Sequence, residues 1–324
     1  MSSFASYASS KPVLFGGAVI IACTATAFAL RKFSGNCECN TGLASVWDSC
    51  CGKQSKKYSD PDQPRRFATA KKENNLRMLD TSSYYKPSQI KGKNVLITGG
   101  NRGIGLAISK ELIAQGANVI ITTRKKFALS GARVIDGVDV TDDNCGKRLV
   151  EGLKGTKIDV LINNAGYFYG PVEKLDSLNF KEELSMIDIC AVGPLRITAA
   201  LFNAGLLPSG SKVAIISSQG GSITWRTTQN PTGHDYGHHM SKAAANMAGV
   251  LLSQELRAAG VCVTLLHPGF NKTDMTKKYE AIWEVEGAVD SSIGAKRVVH
   301  ELCQMSMETT GSFINCEDGL LIPW

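Results

Sequence analysis

Residues Thr98-Gly99-Gly100-Asn101-Arg102-Gly103-Ile104-Gly105 stand between the apolar run Val95-Leu96-Ile97 and the helix-patterned stretch Leu106 to Ile113. A strand, a glycine turn and a helix are written there in order. Glycines at 99, 103 and 105 let the backbone turn tightly and approach a ligand. The first N–H groups of the following helix then point at an anion that the helix dipole favours. Such a turn is a phosphate cradle when a strand precedes it and a helix follows, which is the context here.

Beyond this loop, apolar runs alternate with helical patterns to the end of the chain. Strands are expected at 94–98, 118–123, 133–138, 158–162, 211–217, 261–266 and 311–315, and helices at 103–115, 143–153, 178–205, 237–259 and 291–306. That alternation predicts an α/β, Rossmann-type doubly wound fold over residues 93–324. Its mainly parallel seven-stranded sheet is covered on both faces, with ligands at the carboxyl ends of the strands.

In a Rossmann unit an acid at the end of the second strand binds the ribose of NAD, whereas basic residues there accommodate the extra phosphate of NADP. Here Asn118-Val119-Ile120-Ile121 runs into Thr122-Thr123-Arg124-Lys125-Lys126 with no acid present, and Arg102 inside the glycine loop adds another cation. NADP(H) is therefore the expected cofactor.

Several further motifs follow in order: Asp139-Val140, Asn163-Asn164-Ala165-Gly166, Ser217-Ser218, Ser241-Lys242-Ala243-Ala244, and Pro268-Gly269-Phe270-Asn271-Lys272-Thr273. Together with the glycine loop they make residues 93–324 resemble a short-chain dehydrogenase/reductase. Gly221-Ser222-Ile223 and the ending Asp318-Gly319-Leu320-Leu321-Ile322-Pro323-Trp324 are similar to the branch of C-factor and sniffer-type carbonyl reductases. The resemblance implies a cofactor site at Gly99, Asn101, Arg102, Gly103, Ile104, Gly105, Arg124, Asp139, Val140, Asn163, Asn164, Ala165, Gly166, Lys242, Pro268, Gly269 and Thr273. It also implies a small carbonyl or alcohol substrate, and dimers or tetramers formed through the helices at 178–205 and 237–259.

Hydride transfer to a carbonyl needs the nicotinamide beside the carbon and a proton donor beside the oxygen. The resemblance implies a tyrosine donor, a lysine four residues later, a serine that orients the carbonyl and an asparagine that holds a relay water. Ser218 and Lys242 match the serine and the lysine. The tyrosine position falls on His238 and the asparagine position on Cys190. Tyr236 lies six residues before Lys242, about 240° away around a helix, and substitutes only if the backbone near Gly237 is non-helical. Three readings of His238 stand open: an acid or polariser, a remnant in a protein that binds NADP without turnover, or a site rescued by Tyr236 or another group. The rival function is accordingly a catalytically impaired NADP-binding interaction or regulatory protein on the same fold. A metal site at His238 and His239 is disfavoured, because adjacent helical residues point in different directions. Residues 224–236 are expected over the nicotinamide. Trp225 and Tyr167-Phe168-Tyr169 either make the pocket aromatic or pack the core, and Lys277 to Trp283 form a short lid.

Residues 1–33 form the leader. Residues 12–30 are uncharged and long enough to cross a bilayer of roughly 30 Å at about 1.5 Å per residue. Retained, the segment is an anchor with the domain facing the cytoplasm, because Arg31, Lys32, Lys53, Lys56 and Lys57 follow it against Lys11 before it. Cleaved at Ala25-Thr26-Ala27, it resembles a bipartite plastid presequence, and the domain is organelle-imported. Residues 34–92 read as a basic linker interrupted by Pro61, Pro64 and Pro87. Thirteen Lys and Arg against six Asp and Glu over residues 31–93 account for the net charge of +7. From residue 95 onward there are 22 basic and 23 acidic residues, which gives no charge argument for nucleic acid as a partner. Cys37, Cys39, Cys50 and Cys51 cluster behind the apolar segment, where palmitoylation or a redox pair is conceivable.

Overall fold

A computed structural model describes residues 57–324. The hydrophobic segment 12–30 and the cysteines at 37, 39, 50 and 51 lie outside the described residues.

Seven strands, β1 (Asn94–Thr98), β2 (Asn118–Thr122), β3 (Ala132–Ile135), β4 (Val160–Asn163), β5 (Lys212–Ile216), β6 (Cys262–His267) and β7 (Phe313–Asn315), form one sheet in the order 3-2-1-4-5-6-7. Every pairing is parallel. Because side chains alternate across a strand, Val95 and Ile97 enter one core and Leu96 the other. Helices Gly103–Ala114 and Ser291–Gln304 supply Ile108, Leu112, Val298 and Leu302 to the first core. Helices Cys145–Leu153, Gly193–Asn203 and Tyr236–Glu255 supply Leu149, Leu153, Ile197, Leu201 and Leu252 to the second. The expected seven-stranded doubly wound fold is the one observed. The strand order reverses between β1 and β4, and a crevice opens there at the carboxyl ends.

The expected helix 178–205 is two helices, Phe180–Ile187 and Gly193–Asn203, joined by a π-helical turn at Asp188–Val192. A span of 24 residues from Phe180 is apolar enough to cross a membrane, yet 44% of its 18-residue apolar window is buried inside the domain.

The expected linker 34–92 needs correction from residue 57 onward. Ser59 N–H donates to Leu321 O and Leu321 N–H to Lys57 O, so this segment runs beside the C-terminal tail. A helix follows at Gln63–Glu73, capped by the Asp62 side chain accepting from Arg65 N–H, with Pro64 in its first turn. Proline there starts a helix rather than interrupting one. The helix docks through polar groups. Arg66 pairs with Glu317 at 2.7 Å, with side chains only 5% and 1% exposed, and Gln63 Nε2 donates to the same carboxylate. Polar docking leaves no apolar period for the sequence to display.

Candidate active site

The crevice is built by backbone. Thr98 Oγ1, at the end of β1, accepts from the backbone N–H groups of Asn164 and Ala165, and Asn164 Nδ2 donates to Thr98 O and Gly99 O. These bonds hold the glycine loop against the turn after β4 so closely that a Cβ on Gly99 would stand 3.0 Å from Ala165 Cα. Gly105 admits no side chain either, since its Cβ would fall 2.5 Å from Gly99 O, whereas the space over Gly103, at φ +53°, is open.

A cavity of about 730 Å³ opens above this loop. Its walls include Gly99, Asn101 to Gly105, Arg124, Asp139, Val140, Asn164 to Gly166 and Thr273, all of them expected there. Arg102 and Arg124 are exposed, and Arg124 lies 4.0 Å from Asp139. The loop with its open face, the two cations and the volume of the cavity fit a nicotinamide dinucleotide, whose phosphates the N–H groups of the glycine loop would hold.

Four expected cofactor residues, Asn163, Lys242, Pro268 and Gly269, are not among the lining of this cavity. Asn163 is buried and donates to Thr198 Oγ1. Gly269, at φ +85°, packs against Glu317, and Pro268 O accepts from Asn271 Nδ2. Thr122, Thr123 and Lys125, from the basic stretch at the end of β2, line it as well, and Glu182, Ser185, Asp274 and Met275 do so unannounced by any motif.

Ser218, His238 and Lys242, expected at the reacting oxygen, are not among the residues lining this groove, but Phe168, which does line it, stacks on His238. Helix Tyr236–Glu255 carries His238 and Lys242 one turn apart. Ser218 follows β5, its Oγ accepting from Gly220 N–H at 3.0 Å, and Lys242 Nζ donates to Ile216 O at 3.1 Å. A Cβ on Gly220 would lie 3.1 Å from both Ser218 Oγ and His238 Nε2, so these two groups converge on that glycine. Tyr236 opens the helix and Gly237 is helical, so the backbone offers no departure that would turn Tyr236 toward Lys242. Tyr236 is 38% exposed.

His238 is stacked on Phe168, ring centroids 4.1 Å apart and planes 21° from parallel. Its Nδ1 is buried without a hydrogen-bond partner. Burial first, then the charges of Lys242 and His239, hold its pKa well below the ordinary 6.5, so the imidazole is neutral. A buried nitrogen without an acceptor is better left as a lone pair than as an N–H, which puts the proton on Nε2. His239 is also neutral, held to about 4 by burial and by Arg226, and bonds Gly220 O through Nδ1. Cys190 lies in the π-helical turn, buried, its Sγ 3.6 Å from Tyr167 O.

Trp225 belongs to the core with Leu265, Phe313 and Ile322, 3% exposed, so of its two readings packing is the one observed. Tyr167 and Phe168 do line the groove.

A model of the short chain dehydrogenase family matches residues 93–282. The chain belongs to the short-chain dehydrogenase family. Among relatives of this short-chain dehydrogenase, 1-hydroxy-2-glutathionyl-2-methyl-3-butene dehydrogenase of Rhodococcus sp. (strain AD45) is 33% identical over 235 residues, 71% of this chain and 99% of that protein. C-signal of Myxococcus xanthus is 35% identical over 167 residues, 52% of this chain and 93% of that protein. The NADPH-bound carbonyl reductase from chicken fatty liver superposes with a TM-score of 0.60 at 26% identity, covering 72% of this chain and 100% of that one. Carbonyl reductase Sniffer of D. melanogaster shares the fold with a TM-score of 0.61 at 24% identity, over the same shares. The short-chain dehydrogenase is thus an oxidoreductase that uses a nicotinamide cofactor and a small-molecule substrate.

Proposed function

We propose that the protein interconverts a small carbonyl compound and its alcohol with NADP(H), with Ser218 and His238 at the reacting oxygen and Lys242 beside them. The observation that carries the reading is the convergence of Ser218 Oγ and His238 Nε2 on Gly220. A nicotinamide bound in the groove would supply the hydride. Ser218 and His238 would each donate a hydrogen bond to the substrate oxygen. A neutral imidazole polarises a carbonyl without giving up its proton, because the imidazolate left behind is far too basic. The alkoxide formed would be stabilised by these two donors and by the Lys242 ammonium, and would take its proton from water. His238 is therefore the polariser of the three readings, and Tyr236 is not called on.

The preference for NADP(H) rests on Arg102 and Arg124 at the groove and on the missing acid after β2. The experiment measures binding and turnover separately: NADPH and NADH titrated by fluorescence, then absorbance loss of NADPH with a panel of aldehydes, ketones and quinones. Tight NADPH binding without turnover across the panel would sink the reductase reading in favour of a nucleotide-responsive binding protein. Equal affinity for NADPH and NADH would sink the NADP preference.

Two further proposals concern setting. Residues 12–30 either anchor the domain on the cytoplasmic side of a membrane or are removed after Ala27 on import, and N-terminal sequencing of the native protein distinguishes the two. Leu184, Met247 and Leu251, each at least 60% exposed on helices Phe180–Ile187 and Tyr236–Glu255, support a homo-oligomer, which sedimentation tests.

A further inference from the structure

The segment Asp274–Ile282 is 3₁₀-helical with a kink at Tyr279, its Asp274 and Met275 line the groove, and two of its side chains bond Asp235 at the start of the helix that carries His238. Lys278 Nζ lies 3.6 Å from the centroid of the Phe168 ring. Phe168 is the ring stacked on His238, so cation, phenyl and imidazole are linked in series. The same ammonium donates to Asp235 Oδ1 and to Tyr169 O, each at 3.0 Å, and Tyr279 OH donates to Asp235 Oδ2. His234 Nδ1 is 2.8 Å from that carboxylate.

Asp235 is unusual in two respects. It immediately precedes helix Tyr236–Glu255, where an aspartate ordinarily caps the first N–H groups, yet its side chain makes no cap. Glu173 does that work, accepting from Gly237 N–H through Oε2 at 3.0 Å. Asp235 also adopts the left-handed region at φ +52° while 1% exposed, a conformation that costs about 1 kcal/mol or more outside glycine and persists where its surroundings enforce it. That backbone turn frees its carboxylate from capping and leaves it to Lys278 and Tyr279.

The geometry points to Asp235 and Lys278 as a latch: positioning residues that tie segment Asp274–Ile282 to the base of the His238 helix and clamp Phe168 onto the His238 ring, fixing the direction in which Nε2 meets the substrate oxygen. A cation over a phenyl face is attracted by the ring quadrupole, and the ion pair with Asp235 holds the ammonium in place. Closing the segment thereby aligns the polariser.

The inference rests on the reading of His238 as polariser, and its test needs no turnover, so absence of reductase activity would defeat that reading alone. The full chain labelled with ¹³C in its histidine rings gives resonances for five histidines. His238 is assigned by the signal lost in His238→Gln, and the Phe168 ring current should displace it upfield. Phe168→Leu sets the unstacked position. Lys278→Ala should move His238 to that position, Lys278→Arg, which keeps the cation, should hold the wild-type shift, and Asp235→Asn should lie between. The resonances of His267 and His300, remote from the latch, report folding, and Lys278→Gln serves in place of Lys278→Ala should that variant fail to fold. A wild-type shift in Lys278→Ala, or its loss in Lys278→Arg as well, overturns the latch. Where a substrate is found, Lys278→Ala should lower kcat about 10-fold with its KM within about 2-fold, and Lys278→Arg should restore it.

Discussion

Replacing Arg66 by methionine would test how firmly the segment ahead of the family domain is built into it. Glu317 is 1% exposed; burial alone would raise its pKa, yet Arg66, Arg297 and His267 together hold it at about 2 instead of 4.5. Holding the carboxyl at about 2 instead of 4.5 corresponds to about 3 kcal/mol of stability from all partners together. Removing one partner of a buried pair costs about 3–5 kcal/mol when the remaining charge is left unpaired, and Arg297, 3.7 Å away, offsets part of it here. The expectation for Arg66→Met is therefore a loss of about 3 kcal/mol, read at pH 7 as a lower urea midpoint with an unchanged slope. Adding Glu317→Gln should return about half of it. The sign with pH follows from the depressed pKa: this contribution is complete above about 4.5 and disappears as pH falls through about 2, so wild type and variant should converge in acid. A loss below about 1 kcal/mol, or one that persists undiminished in the Glu317→Gln background, would refute the argument.

Other outcomes follow from the site. His238→Tyr supplies a proton donor where a neutral imidazole cannot, and should raise kcat for carbonyl reduction by about 10²-fold, measured with the best substrate of the panel. Because His238 stays neutral, kcat/KM of the wild type should show no inflection near the ordinary imidazole value of about 6.5; a clear step there would contradict the assigned protonation. Arg124→Ala should weaken NADPH binding about 10-fold while leaving NADH within about 2-fold, by fluorescence titration. Gly105→Ala, whose Cβ would stand 2.5 Å from Gly99 O, should abolish binding of both nucleotides while the protein remains folded by circular dichroism.

The parts of the fold that the sequence makes legible are those where local geometry and chemistry coincide. The glycine loop declares itself because only glycine fits at 99 and 105, and Asn163 to Gly166 because Asn164 and Ala165 bond back to Thr98. The helix that places His238 one turn from Lys242 follows from spacing. What stayed hidden is tertiary. Gln63 and Arg66 carry no apolar period, since their helix is held by a carboxylate 251 residues away from Arg66. Trp225 in an insert looks like a pocket wall until the core beneath it is known. The Lys278–Phe168–His238 series joins three remote segments, and the left-handed turn at Asp235 carries no glycine to betray it.

The docking of residues 57–73 against the C-terminal part of the domain also sets an order of events during biosynthesis. Residues 57–59 lie along Leu321, and Arg66 needs Glu317, so the earliest part of the folded unit closes onto the latest. An all-parallel sheet already makes every strand wait for a crossover, and contacts this distant along the chain form slowly. The helix Gln63–Glu73 therefore leaves the ribosome with two polar side chains whose partners have not been made. Docking is completed only once residues 317–321 have been made and have left the ribosome. Until then Arg66 and Gln63 remain in water, and the cost of burying the Glu317 carboxylate is met by Arg297 alone of the two guanidiniums.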